Sequence, residues 1–357
     1  MNKIKNILLI IVFITAITLP QFIHLLFYNE NNTISESEKR KLSDIPKLEL
    51  ATITEYPGKF EAYYNDHTPF RTQLINLWAN LNYDIFKTIA NNNKVLMGKE
   101  GWLFYRGNQV IEQTQGIVSF TEKEKKNILS AMQDNINKLE QKGIETYYFI
   151  APNKTNIYRE KLPESICIKN DTTQAEELIK YVEENSDIKI IYPKDELIAY
   201  KEKCDVYRKY DTHWNNIGAL IGAITIQKNI DNNFSYDIND IEVEITKVID
   251  ENDLATAAGL DKKLYQYMPR VTNFYSDVKT EKIENGSISD SDNEKTVLII
   301  GDSFGTMLEQ YFSKLYKKVI LIHRDDYKKE YLEGINPDIV IVEAAERLSY
   351  ILDKQLL

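Results

Sequence analysis

The spacing of apolar positions changes along the chain, and the change separates a front part from an alternating body. From about residue 119, apolar runs of strand length alternate with amphipathic stretches of helical length. FTEKEKKNILSAMQDNINKLEQKG predicts a helix with Thr121 as N-cap, Glu124 completing a capping box, and Gly143 as a stop. IETYYFIAP then reads as a strand running into the polar loop PNKTNIY. TTQAEELIKYVEENS predicts a second helix, IKIIYP a second strand, and a further helix begins near Asn215. Residues 232–295 are less periodic, and NGSISDSDNEK (Asn285–Lys295) reads as a solvated loop. The pattern resumes with strand Thr296–Ile300, helix Gly305–Lys317, strand Lys318–Ile322 and strand Asp338–Val342. Such alternation predicts an α/β fold, a mainly parallel sheet covered by helices on both faces.

The front part is organised differently. Lys3 and Lys5 precede an apolar run from Ile7 to Leu19, which continues less purely to Phe27. The 21 residues Ile7–Phe27 reach the length of a bilayer span, and no clear small-x-small cleavage motif follows. The reading is an uncleaved signal anchor with the bulk of the chain outside the membrane, a cleaved signal peptide being the alternative. Residues 1–29 are thus a cytoplasmic stub and membrane helix, 30–55 a polar linker, and 56–357 the catalytic domain. Leu74, Leu77, Trp78, Leu81 and Ile85 recur at helical spacing within a helix expected over Thr72–Ala90. Lys94–Tyr105, KVLMGKEGWLFY, reads as a hairpin turning at Gly98 and Gly101.

Composition adds two constraints. A net charge of −10 over 357 residues argues against a nucleic-acid partner, because phosphate binding needs a basic surface. Two cysteines, Cys167 and Cys204, suit either free thiols or one disulfide in an extracytoplasmic setting. They do not make a zinc site by themselves.

Ligands of open α/β sheets collect at the carboxyl ends of the strands, which picks out APNKTNIY, GDSFG, HRDD and EAAER. Ser303 lies between an apolar strand and a helix, where backbone N–H groups point at an incoming oxyanion. It is either a nucleophile or, like Asp302, only a helix cap. A nucleophilic serine needs a base. Of the four histidines, His24 lies in the apolar N-terminus, and His67 and His323 sit in a loop and at a strand end. His213 follows Asp211 by two residues, and in extended backbone such residues point the same way. Asp211 would hold one ring nitrogen and leave the other for serine; no third ligand nearby completes a usual zinc set, so no metal or other cofactor is expected.

DTHW followed by a strand and GDSF, His213 to Ser303 being 90 residues apart, resembles the alginate-acetyltransferase-like (DHHW) branch of the SGNH hydrolase superfamily. FEAYYNDHTPFR, GKEGWLFY, PNKTNIY, NDLATAAGL and VIVEAAER agree with it in order, over about residues 36–350. The resemblance implies an SGNH-like α/β/α sandwich with rearranged motif order, Asp-x-His preceding serine. It implies Ser303 as nucleophile, His213 as general base and Asp211 as its orienter. It also implies O-acetylation of an exported cell-envelope polysaccharide, with acetyl supplied by a membrane-bound O-acyltransferase. A carbohydrate acetylesterase with the same triad and a non-catalytic polysaccharide-binding subunit are the alternatives. An obvious Gly and Asn pair for the oxyanion hole is missing. Weaker substrate-binding candidates are Trp214, which either stacks on sugar or joins the core, and Lys154, Asn156 and Tyr158 in a strand-end loop. Arg324 and Arg347 either stabilise charge or form ion pairs.

Overall fold

The computed structural model describes residues 2–27, 34–35, 40–68, 70–90, 93–249, 252–260, 264–353 and 356. They fall into two compact units, Met1–Asn92 with Ala255–Lys262, and Asn93–Leu254 with Lys263–Leu357. The stretch 56–357, taken from the sequence as one domain, is divided between them at Asn93.

The first unit contains α1 (Asn2–Phe27), α2 (Tyr56–Asp66) and α3 (Arg71–Leu81). Helix α3 stops short of Ala90, because the backbone widens into a π-helical turn over Asn82–Phe86 and ends at Lys87 with φ 52°. Among the described residues no helix is long and apolar enough to cross a membrane, so the expected span is not supported. The predominantly apolar run Ile7–Leu19 is 13 residues long and ends at Pro20. It amounts to about 20 Å of helix against a hydrocarbon core of about 30 Å. Residues 30–33 and 36–39 of the expected linker lie outside the described residues.

The second unit opens with the expected hairpin, β1 (Val95–Met97) and β2 (Leu103–Tyr105), paired antiparallel. Helix α4 (Glu122–Glu140) starts at the capping box, with Thr121 Oγ1 accepting from Glu124 N–H at 3.3 Å and Glu124 Oε2 accepting from Thr121 N–H at 2.8 Å. It ends before Gly143, whose φ of 76° turns the chain into β3 (Glu145–Ala151). Next come α5 (Lys154–Ile157), α6 (Gln174–Asn185), β4 (Ile190–Ile191) and α7 (Asn216–Ile230). The chain continues through β5 (Val243–Ile249), α8 (Asp253–Ala257), β6 (Tyr265–Val271), β7 (Thr280–Ile283) and β8 (Gly286–Ser289). It closes with β9 (Thr296–Gly301), α9 (Gly305–Leu315), β10 (Lys318–His323) and β11 (Ile339–Ala345).

Seven strands form one mixed sheet in the order β4-β3-β11-β9-β10-β8-β7. The first five are mutually parallel, and β8 and β7 extend the edge antiparallel. Successive residues of β9 point to opposite faces, and this fixes the layers. Val297 and Ile299 enter a core with Ala219 and Ile224 of α7 and Leu308 and Phe312 of α9. Leu298 and Ile300 enter the opposite core with Met132 of α4 and Leu178 of α6. Each fully buried aliphatic chain contributes about 1.5–3 kcal/mol. Strand β9, which leads to Ser303, is therefore central and covered on both faces.

The supposed loop Asn285–Lys295 contains strand β8, a correction to the sequence reading. Gly286 pairs with Ile320 and Ile288 with Lys318, and the buried Ser287 hydroxyl donates to Glu309. Its polarity concealed it, since the partner strand lies about thirty residues downstream. Cys167 and Cys204 are free thiols.

Candidate active site

Three strand-end segments of the second unit meet over the carboxyl end of β9. Gly301 ends this strand beside Glu343 of β11, and a Cβ there would lie 2.4 Å from Glu343 Oε2. That close approach lets Glu343 Oε2 accept from the Asp302 N–H at 2.8 Å. Burial pushes the Glu343 carboxyl well above its usual range, and the neighbouring Asp302 charge adds to the effect. Asp302 builds the turn: Oδ1 accepts from Phe304 N–H at 2.9 Å, and Oδ2 from Ala345 N–H at 2.9 Å and Arg324 Nη1 at 3.1 Å. Ser303, between these anchors, is exposed at the head of α9.

The base arrives on a separate hairpin-like loop. Tyr207 and Trp214 bridge antiparallel, Arg208 N–H donates to His213 O at 3.2 Å, and Asn215 N–H donates to Val206 O at 3.0 Å. Asn215 then caps α7, its Oδ1 accepting from Ile217 and Gly218 N–H at 2.9 and 3.1 Å. Helix α7 comes close enough to this loop that a Cβ on Gly218 would lie 2.3 Å from Val206 O. Held in this way, His213 Nε2 is 2.6 Å from Ser303 Oγ, and His213 Nδ1 is 2.7 Å from Asp211 Oδ1. With the proton on Nδ1, the ring donates to Asp211 and accepts from the serine hydroxyl, the arrangement a nucleophile–base–orienter relay requires.

Asp211 is buried, which by itself would raise its pKa. The hydrogen bond and charge of His213 and the N–H groups of His213 and Asp253 outweigh burial and hold the carboxyl at about 2. The folded pKa lies below the unfolded value of 3.8, so this carboxylate contributes stability that is present above about pH 4 and lost as pH falls through 2. The contribution is on the order of 2 kcal/mol. Thermal midpoints of wild type and Asp211→Asn, measured against pH, should differ above pH 4 and converge towards pH 2.

Asp211, His213 and Asp253 also bring three potential ligand atoms within 4.8 Å of one another. His213 Nε2 is on Ser303, and Asp211 Oδ1 and Oδ2 accept from His213 and from Asp253 N–H. The donor set is therefore satisfied by hydrogen bonds, and with one imidazole it does not match the usual catalytic zinc sets.

The other candidates separate into two groups. Trp214 is fully buried, edge-on to Phe304 with ring centroids 5.2 Å apart, so it walls the core beneath the base and offers no face to a sugar. Lys154 is also buried, and its ammonium shares three N–H groups among the carbonyls of Leu103 (2.7 Å), Arg208 (2.7 Å), Lys209 (2.9 Å) and Asp211 (3.0 Å). Asn156 donates to buried Glu346 at 2.7 Å, and the Tyr158 hydroxyl accepts from Val206 N–H at 2.9 Å. Arg324 is paired with Asp302. These five serve the scaffold, since their polar atoms are directed at protein groups or, for Trp214, sealed in the core.

Arg347 is different. Half-buried, it lies over the Phe304 and Tyr105 rings at 5.4 and 5.5 Å. It lines a small open concavity with Tyr105, Val110, Asn153, Lys154, Thr155 and Thr212. The buried Asn153 Nδ2, with no hydrogen-bond partner, belongs to the same lining. Sequence reasoning did not single out Asn153, Asp253 or Glu343, although each lies in a segment it picked out, PNKTNIY, NDLATAAGL and VIVEAAER.

Residues 95–320 match the family model described as the SGNH hydrolase-like domain of the acetyltransferase AlgX. The chain is 24% identical over 267 residues to the probable alginate O-acetylase AlgJ of Pseudomonas syringae pv. tomato, covering 71% of this chain and 65% of that protein. It is also 24% identical over 225 residues to the probable alginate O-acetylase AlgJ of Pseudomonas aeruginosa, covering 59% of this chain and 52% of the relative. The chain thus spans between half and two thirds of the length of these two relatives. The structure of Bacillus cereus PatB1 superposes with a TM-score of 0.50 at 19% identity, covering 73% of this chain and 99% of that one, a likeness of fold. With more than half of its length accounted for by the family model, the chain belongs to the AlgX-type SGNH hydrolase-like family.

Proposed function

We propose that this chain is an extracytoplasmic O-acetyltransferase that carries acetyl on Ser303 and delivers it to a hydroxyl of an exported cell-envelope polysaccharide. The observation that carries the reading is the relay Ser303–His213–Asp211, with links of 2.6 and 2.7 Å. His213 Nε2 takes the serine proton as Oγ attacks the acetyl carbonyl of a donor ester. The donor C–O bond breaks, and the imidazolium returns the proton to the departing oxygen. A sugar hydroxyl then loses its proton to His213 and attacks acetyl-Ser303, and the freed Oγ recovers that proton. The Ser303 backbone N–H is the candidate donor to the developing oxyanion, such a donor being worth about 3 kcal/mol in related chemistry.

Acetyl reaches the site from a membrane-bound O-acyltransferase, in this reading. The Lys3, Lys5 and apolar Ile7–Leu19 pattern fits the charged and apolar regions of an export signal. Ser303 is exposed, so water competes with sugar, and this favours a carbohydrate acetylesterase as the second reading. Incubation of the protein with an acetyl-ester donor and envelope oligosaccharides separates the two. Acetylated sugar is the expected product; free acetate alone means an esterase, and no Ser303-dependent product of either kind overturns both.

A further inference from the structure

We infer that Asp253 is a second carboxylate of this centre, a positioning residue that locks the Asp-x-His loop in register and places negative charge beside the imidazole. The inference rests on the acyl-transfer reading and extends it to a residue outside the triad. Asp253 opens α8, and it exchanges two hydrogen bonds with the loop. Thr212 N–H donates to Asp253 Oδ1 at 2.7 Å, and Asp253 N–H donates to Asp211 Oδ2 at 3.1 Å. This reciprocal clasp fixes the peptide unit between Asp211 and Thr212 and the second oxygen of Asp211. Asp211 can then point one oxygen at His213 while its second oxygen is held elsewhere.

The remaining oxygen, Asp253 Oδ2, lies 3.9 Å from His213 Nδ1. That is too long for a hydrogen bond and close enough for charge to act. When His213 takes the serine proton, the imidazolium is faced by two carboxylates rather than one. The cations Arg208 and Lys154 are on Asp211. Arg208 Nη1 is 4.0 Å from Asp211 Oδ2, and the Lys154 ammonium is on the Asp211 carbonyl. On the serine side, the Asp302 carboxylate is engaged by Arg324 and by the N–H groups of Phe304 and Ala345. Asp253 is thus the carboxylate outside the triad that approaches the ring among the described residues.

The clasp and the charge can be separated. Asp253→Asn keeps an oxygen able to accept from Thr212 N–H and removes the charge, whereas Asp253→Ala removes both. In hydrolysis of an activated acetyl ester, Asp253→Asn should move the acid limb of kcat/KM down by about half to one pH unit. It should also lower kcat about three- to tenfold with little change in KM. Asp253→Ala should show the same shift with a larger loss of kcat. NMR titration of the His213 ring, assigned by difference against His213→Gln, reads the same charge without turnover and should show a lower midpoint in Asp253→Asn. An unmoved midpoint and acid limb in a folded Asp253→Asn protein overturn the inference while leaving the triad standing. Absence of Ser303-dependent turnover in wild type overturns the acyl-transfer reading, and this inference with it.

Discussion

Ser303→Ala should reduce turnover of an activated acetyl ester by about ten-thousandfold or more and abolish the acetyl adduct that mass spectrometry detects on the quenched wild-type protein. The size of the effect follows from how the site is built. His213 Nε2 lies 2.6 Å from Ser303 Oγ, and no second hydroxyl among the described residues is hydrogen-bonded to that nitrogen. Without Oγ the base has only water to activate, and residual catalysis comes from oriented donors and binding alone. His213→Ala should cost a comparable factor, and the double variant should be scarcely worse than either single one, because the residues act as a unit. The fold should tolerate Ser303→Ala well. Ser303 is exposed, and the turn is held by Asp302 and Glu343, which the substitution does not touch. Unchanged unfolding with lost activity is therefore the expected pair of results. Retained adduct formation in Ser303→Ala would place the acetyl carrier elsewhere.

The parts of this site that were legible in the sequence are those whose meaning is local. GDSF after VLII announces a strand, a turn and a helix, and the turn geometry follows from residues two positions apart, as in Phe304 N–H on Asp302. Asp-x-His works the same way, since Asp211 Oδ1 accepts from both the backbone and the ring of His213. The capping boxes at Thr121 and Thr173 lie within four residues and were equally open to reading in the case of Thr121. What escaped depends on partners distant along the chain. Asp253 reaches Thr212 across 41 positions, Glu343 reaches Asp302 across 41, and strand β8 needs β10. The loop PNKTNIY was correctly assigned to a strand end, but the direction of its side chains was not knowable locally. Asn156 and Tyr158 turn inward because Glu346 and Val206 wait there with a buried acceptor and a buried donor. For the expected membrane span, length was counted to Phe27, whereas the continuous apolar part ends at Pro20.

Lys154→Met should destabilise the protein by about 3–5 kcal/mol in urea unfolding and, under conditions where it remains folded, lower kcat by more than tenfold. The ammonium holds together four carbonyls from two segments, Leu103 on strand β2 and Arg208, Lys209 and Asp211 on the catalytic loop. It also lies over the Trp102 and Phe104 rings, at 5.0 and 5.3 Å. Burial pulls its pKa down to about 7, against the opposing charges of Asp211, Asp253 and Asp205. Methionine fills the volume of the lysine stem and supplies no donor, so buried carbonyls would be left without their partner, at about 1–3 kcal/mol for each left unsatisfied. The Asp211 carbonyl is one of them, so the backbone that aims the orienting carboxylate would relax. Lys154→Arg should not rescue, since a planar fork is larger and cannot place its donors among the four oxygens that the compact ammonium reaches with three N–H groups. A lysine that bound substrate, as its strand-end loop suggests, would behave oppositely: Lys154→Met would raise KM and leave urea unfolding unchanged. The two measurements together decide whether this buried cation serves the acceptor or the loop that carries the base.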